Sequence, residues 1–175
     1  MEWQNPGRIL ITHEEIKHKV KEIGDSITAD YQGGQVLLIG VLKGAVIFLA
    51  DLLRCLDMPV EADFMALSSY GSSTKTSGVV RILKDLDRSI EQENVIIVED
   101  IVDTGLTLQF LYRNLWQRYP NSIKVASLLD KPEKRQVEME VDYCGFTISD
   151  HFVVGYGLDF DEKYRNLPDI HILEE

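Results

Sequence analysis

Apolar residues near the N-terminus recur at helical spacing. Ile16, Val20, Ile23 and Ile27 follow Thr12-His13-Glu14-Glu15, which has the form of a capping box, so an amphipathic helix is predicted to run to about Asp30. The period then changes. Residues 35–41 are a continuous apolar run suited to a strand covered on both faces, and residues 44–56 return to the pattern of a buried helix. Val60, Ala62, Phe64 and Ala66 alternate with Glu61, Asp63, Met65 and Leu67 as a further strand. Residues 68–78 are polar and rich in Gly and Ser, with little to bury, and are expected to be mobile. Strands are predicted at 79–83, 95–98 and 123–129, and shorter ones near 140–143 and 152–154. A helix through Leu108, Leu111 and Leu115 is predicted from Thr104 to about Tyr119, stopped by Pro120-Asn121.

Strands alternating with helices imply an α/β fold with a mostly parallel central sheet flanked by helices. In such sheets ligands gather outside the carboxyl ends of the strands. The chain shows no repeat and no linker, and its 175 residues are read as a single domain, 1–175. Hydrophobic residues make up 45% and charged residues 27%, the balance of a globular protein. Without a transmembrane-length apolar run or a secretory leader pattern, a cytoplasmic location with no membrane partner is expected. A net charge of −11 disfavours nucleic acid, which needs a basic surface. Cys55 and Cys144 have no metal spacing and are expected to be buried structural thiols. His13, His18, His151 and His171 have no partner at useful spacing and are expected to be structural or exposed.

Chemistry concentrates where strands end. Four β-branched residues, Val95 to Val98, lead directly into Glu99-Asp100-Ile101-Val102-Asp103-Thr104-Gly105-Leu106-Thr107. Strand-end carboxylates suit either sugar hydroxyls or a divalent ion such as Mg²⁺, and small hydroxyl-bearing residues at a helix start offer N–H groups to a phosphate. The pattern alone also fits a solvated strand end with an ordinary helix cap. Neither a Walker loop nor a dinucleotide glycine pattern occurs. Taken singly, Lys43 is a turn lysine, Lys131 a surface lysine before Pro132 and Phe152 a core aromatic, while Asp159 and Arg165 belong to a charged surface stretch.

As an ordered set these segments carry more. The run from Glu99 to Gly105 resembles the phosphoribosyl-diphosphate motif of the type I phosphoribosyltransferases. Leu42-Lys43-Gly44, Ser69-Tyr70-Gly71, Leu129-Asp130-Lys131-Pro132 and the stretch from Phe152 to Asp159 complete a resemblance to the short bacterial hypoxanthine (hypoxanthine-guanine) phosphoribosyltransferases. The resemblance implies a small hood over the sheet, a flexible active-site loop and an enzyme of purine salvage. Its substrates would be hypoxanthine or guanine and phosphoribosyl diphosphate, its cofactor Mg²⁺, and its assembly a homodimer or homotetramer. It implies that Glu99 and Asp100 meet the ribose hydroxyls and the metal, with Asp159 a further metal contact beside the purine. Asp103, Thr104, Gly105, Leu106 and Thr107 would wrap the 5′-phosphate, with Asp103 also the catalytic acid or base. Lys43, Gly44, Ser69, Tyr70 and Arg165 would hold pyrophosphate, and Lys131, Phe152 and Val153 the purine. The peptide before Lys43 is often cis in the family. A nucleotide-sensing regulator that binds RNA and a transferase for xanthine or another base stand as alternatives; the acidic charge argues against the first.

Overall fold

The computed structural model describes residues 6–69 and 80–173. In chain order these form β1 (Ile9–Ile11), α1 (His13–Asp30), β2 (Val36–Leu42), α2 (Val46–Cys55), β3 (Val60–Ser69) and β4 (Val80–Lys84). There follow β5 (Asn94–Val102), α3 (Leu106–Trp116), β6 (Ser122–Asp130), β7 (Tyr143–Thr147), β8 (Val153–Val154) and β9 (Ile170–Ile172). Six strands make the central sheet in the order β4-β3-β2-β5-β6-β7, parallel throughout except for the antiparallel edge strand β4. A small antiparallel sheet, β1-β9-β8, unites both ends of the described chain above it and is the expected hood.

The continuous apolar strands follow from cover on both faces. Leu38 of β2, Ile96 and Val98 of β5, and Ala126 and Leu128 of β6 pack with α1, α2 and the hood strands. Their neighbours Leu37, Ile39, Val95, Ile97 and Val125 join Leu108, Leu111 and Leu115 of α3 in a second core. Each strand residue is therefore buried on whichever side it points, which removes polar alternation from the sequence. Helix α1 begins as expected, the Thr12 hydroxyl accepting from the Glu15 N–H while the Glu15 carboxylate accepts from Thr12. The hood is strapped to α2 by the Tyr156 hydroxyl, which donates to Asp51 at 2.5 Å.

Several expectations shift. Helix α2 starts at Val46, because Lys43 to Ala45 form a turn in which the Lys43 carbonyl accepts from the Val46 N–H. Thr104 and Gly105 likewise lie in the turn before α3, which ends at Trp116. The strand expected at 140–143 is displaced to Tyr143–Thr147. Met139 and Val141 pack against the second core as loop residues, and the Asp142 carboxylate accepts from the Val125 N–H instead of continuing a ladder. Cys144 is exposed on edge strand β7, and Cys55 is only partly buried. The expectation of two buried thiols is corrected accordingly, since only Tyr143 and Phe146 of β7 join a core. Most of the polar stretch expected to be mobile, including Tyr70, lies outside the described residues.

Candidate active site

Two crossovers determine where a crevice opens. From β2 the chain passes through α2 to β3 on one side; from β5 it passes through α3 to β6 on the other. The winding reverses between β2 and β5, and the loops leaving those neighbouring strands bound a cleft at their carboxyl ends. Contact between the loops is close. A Cβ built on Gly44 would stand 1.7 Å from Asp100 Oδ2, so only a hydrogen fits there. A third loop, 155–165, reaches the same point: Gly157, at φ 101, would place a Cβ 2.2 Å from the Gly44 carbonyl oxygen. The peptide between Leu42 and Lys43 is cis.

The acids of the motif occupy distinct environments. Glu99 is buried, and desolvation, aided by the negative charge of Asp100, drives its carboxyl well above the usual range. Burial pushes Asp100 up to about 6, with Asp159 adding to the shift and Arg165 opposing it. Asp103 is half-buried, and its Oδ1 is enclosed without a hydrogen-bond partner among the described residues. Beside it, a cavity of about 120 Å³ is lined by Glu99, Asp103, Thr104, Gly105 and Thr107. Gly105 caps α3 at φ 80 and has no side chain to bond its first turn; the Leu106 N–H donates instead to Thr104 Oγ1 at 3.4 Å, and the start of the helix borders this cavity.

Cations arrive from three directions. Exposed Lys43 lies 3.1 Å from Glu162 Oε1. Arg165 donates from Nη1 to the Gly157 carbonyl at 2.8 Å and pairs through Nη2 with Asp159 at 2.8 Å and Glu162 at 3.2 Å. Lys43, with Arg165 contributing, holds the Glu162 carboxyl below its ordinary range. Lys131 is buried, donates to the His151 carbonyl at 2.6 Å and stands 3.6 Å from Asp150. It thereby ties the end of β6 to the segment leading into Phe152. Phe152 is 56% exposed and meets Phe160 edge to face at 5.7 Å, so the isolated expectation of a core aromatic is corrected. Val153 is buried in β8 and pairs with Ile172.

The structure thus brings Gly44, Asp100, Asp159 and Arg165 together, with Lys43 joined through Glu162. Lys131 and Phe152 share the segment between β6 and β8. Ser69 closes β3 opposite Val80, while Tyr70 lies outside the described residues. Among the described residues no group of three or more His, Cys, Asp or Glu is placed to hold a metal by itself. Sequence reasoning missed Glu162, which faces two of the expected cations. It also missed Arg135, which pairs with Asp130 and lies against Gly105 beneath the start of α3. A pointer to Arg135 was available in Lys131-Pro132-Glu133-Lys134-Arg135, a basic run at a strand end in an acidic chain. No comparable pattern marks Glu162.

The phosphoribosyl transferase domain family matches residues 9–161. The chain belongs to that family. This phosphoribosyltransferase is 52% identical over 167 residues to the hypoxanthine-guanine phosphoribosyltransferase of Bacillus subtilis, covering 95% of this chain and 93% of the relative. It is 52% identical over 172 residues to the Mycobacterium tuberculosis enzyme of the same name, covering 95% and 85%. The crystal structure of a hypoxanthine-guanine phosphoribosyltransferase from Bacillus anthracis superposes with a TM-score of 0.93 at 46% identity, covering 97% of this chain and 100% of that one. The likeness therefore includes the hood as well as the central sheet of this phosphoribosyltransferase, and its fold is that of the type I members.

Proposed function

We propose that this chain is a purine-salvage enzyme that transfers the 5-phosphoribosyl group of phosphoribosyl diphosphate to hypoxanthine or guanine, releasing pyrophosphate and the nucleoside monophosphate. The observation that carries this reading is the convergence of the Lys43-Gly44, Asp100 and Gly157–Arg165 segments on the cleft between β2 and β5. Relatives named for the hypoxanthine-guanine activity support the choice of base.

In this reading Glu99 and Asp100 accept hydrogen bonds from the ribose hydroxyls. Thr104, Gly105, Leu106 and Thr107 present the N-terminus of α3 to the 5′-phosphate, where N–H groups without a helical partner and the helix dipole favour an anion, and the Thr104 hydroxyl that accepts from the Leu106 N–H at 3.4 Å yields to it. Lys43, Gly44, Ser69, Tyr70 and Arg165 hold the pyrophosphate, the planar Arg165 fork suiting two of its oxygens. Lys131 has N–H donors beyond the one on the His151 carbonyl and offers them to the six-position oxygen of the purine. An amino group at that position would set donor against donor. Phe152 exposes a face for the base to stack on, and the Val153 backbone meets the ring edge. Asp103, with one oxygen unengaged, receives the proton that the purine imidazole nitrogen gives up as it bonds to the anomeric carbon.

Mg²⁺ belongs to the same reading. Two adjacent carboxyls raised by desolvation, Glu99 buried and Asp100 half-buried, are a site that a divalent cation relieves, and Glu99, Asp100 and Asp159 offer oxygen donors of the kind that suits a hard ion. Without a preformed three-acid cluster, the ion would complete its shell with substrate oxygens and water. When bound it supplies charge neutralisation for the leaving pyrophosphate.

The chain is read as one domain, supported by the continuous family match and by the pairing of β1 with β9. Cytoplasmic location and a homodimer or homotetramer complete the proposal; among the described residues no helix is long and apolar enough to cross a membrane. Pyrophosphate release measured in parallel with hypoxanthine, guanine, xanthine, adenine and uracil is the test. Turnover with hypoxanthine or guanine supports the reading, and no turnover on any 6-oxopurine refutes it.

A further inference from the structure

Glu162 spans the two cations assigned above to pyrophosphate. Its Oε1 faces Lys43 Nζ at 3.1 Å and its Oε2 faces Arg165 Nη2 at 3.2 Å. One carboxylate thus offers one oxygen to each cation, as two phosphoryl oxygens of a diphosphate would. The contact is held from behind. The Glu162 N–H donates to Asp159 Oδ2 at 2.9 Å, and a bridge between Phe160 and Lys163 closes the turn that carries it. Glu162 itself sits at φ 62, a conformation that L side chains rarely adopt.

The two cations differ in freedom. Arg165 is anchored through Nη1 to the Gly157 carbonyl and through Nη2 to Asp159, so it keeps its place when Glu162 withdraws. Lys43 is largely exposed, and Glu162 is its one ion-pair partner among the described residues. Glu162 is exposed as well, which keeps the pairs weak enough for a more highly charged anion to displace it.

We propose that Glu162 is an internal counter-ion that occupies the pyrophosphate cations of the ligand-free enzyme and is displaced by the diphosphate of the substrate. It lowers affinity for both phosphoribosyl diphosphate and pyrophosphate, and so hastens release of the pyrophosphate product. This inference rests on the proposed function, and its test separates the two.

Pyrophosphate is titrated in the presence of Mg²⁺ into the wild-type protein, Glu162→Gln and Asp161→Asn by calorimetry, and KM for hypoxanthine is measured for each. Asp161→Asn removes the same charge from the neighbouring position, whose one ion-pair partner among the described residues is Lys163. Glu162→Gln is expected to bind pyrophosphate about two- to thirtyfold more tightly, the range for removing two solvent-accessible pairs, with KM for hypoxanthine unchanged. Asp161→Asn is expected to match the wild type. Tighter binding does not arise from misfolding, so a destabilised variant cannot imitate this result. Unchanged or weaker pyrophosphate binding in Glu162→Gln, or equal tightening in Asp161→Asn, overturns the inference while leaving the proposed function standing. A wild-type protein that binds no pyrophosphate overturns both.

Discussion

Gly44→Ala tests the cleft at its narrowest point. The added methyl would lie 1.7 Å from Asp100 Oδ2 and 2.5 Å from its Cγ, so the carboxylate must swing away or the two loops must part. Asp100 cannot yield freely, because it is half-buried and its Oδ1 accepts from the Ile101 N–H at 2.9 Å. Parting the loops would disturb Gly157, which is packed against the Gly44 carbonyl. Overpacking of this kind costs about 1–3 kcal/mol, and a lost hydrogen bond adds about 1 kcal/mol. For a chain of this size each kcal/mol lowers Tm by roughly 2–4 °C, so scanning fluorimetry of the ligand-free protein should show a fall of roughly 5–15 °C. Activity should suffer more than folding. A displacement of about 1 Å in a group that orients the sugar costs on the order of 100-fold, so kcat/KM for phosphoribosyl diphosphate should fall by about that factor at a temperature where the variant is folded. Wild-type kcat/KM together with wild-type Tm would refute the contact between Gly44 and Asp100 as described.

Asp103→Asn should bind both substrates normally but lose about 10²–10⁴-fold in turnover, as read by single-turnover kinetics; unchanged turnover removes Asp103 from proton transfer. Lys131→Ala should raise KM for hypoxanthine and guanine far more than KM for phosphoribosyl diphosphate, and equal losses would assign Lys131 to structure through His151 and Asp150. Asp100→Asn concerns pH. Burial raises the Asp100 carboxyl from 3.8 to about 6, so between those values the folded state holds a proton that the unfolded chain has released. Stability of the ligand-free protein therefore falls as pH rises through that window, by about 3 kcal/mol for this group. The Asp100→Asn variant, which cannot ionise there, should gain Tm relative to wild type between pH 4 and pH 7.5 while losing activity. A Tm difference that stays constant across that range would contradict the assignment.

Periodicity and motif order made much of the fold legible. The central strands β2, β3, β5 and β6 and the three helices follow from short-range patterns, because strand pleat and helix pitch write themselves into neighbouring residues. Elements that depend on distant partners were not legible. Strands β1 and β9 contain three residues each, too few to show a period, and they exist because Ile9 and Ile11 pair with His171 and Ile170 at the far end of the chain. Met139 and Val141 carry a strand-like alternation yet serve as loop anchors, since a core accepts apolar side chains whatever backbone delivers them.

The candidate site divides along the same line. By itself the sequence determined the kind of chemistry: a strand-end acid cluster running into a helix start, and a Lys-Gly turn, a Lys-Pro turn and a Phe-Val pair in family order. Residue types and their spacing are local properties, and they name the groups available. Only the tertiary structure decided which of these groups meet. That Gly44 must lack a side chain because Asp100 occupies its space, that Arg165 is aimed by the Gly157 carbonyl, and that Glu162 faces Lys43 are consequences of loops brought together where the sheet reverses its winding. Burial, which raises Glu99 and Asp100, likewise arises from chain segments far apart in sequence, and no short stretch of residues encodes it.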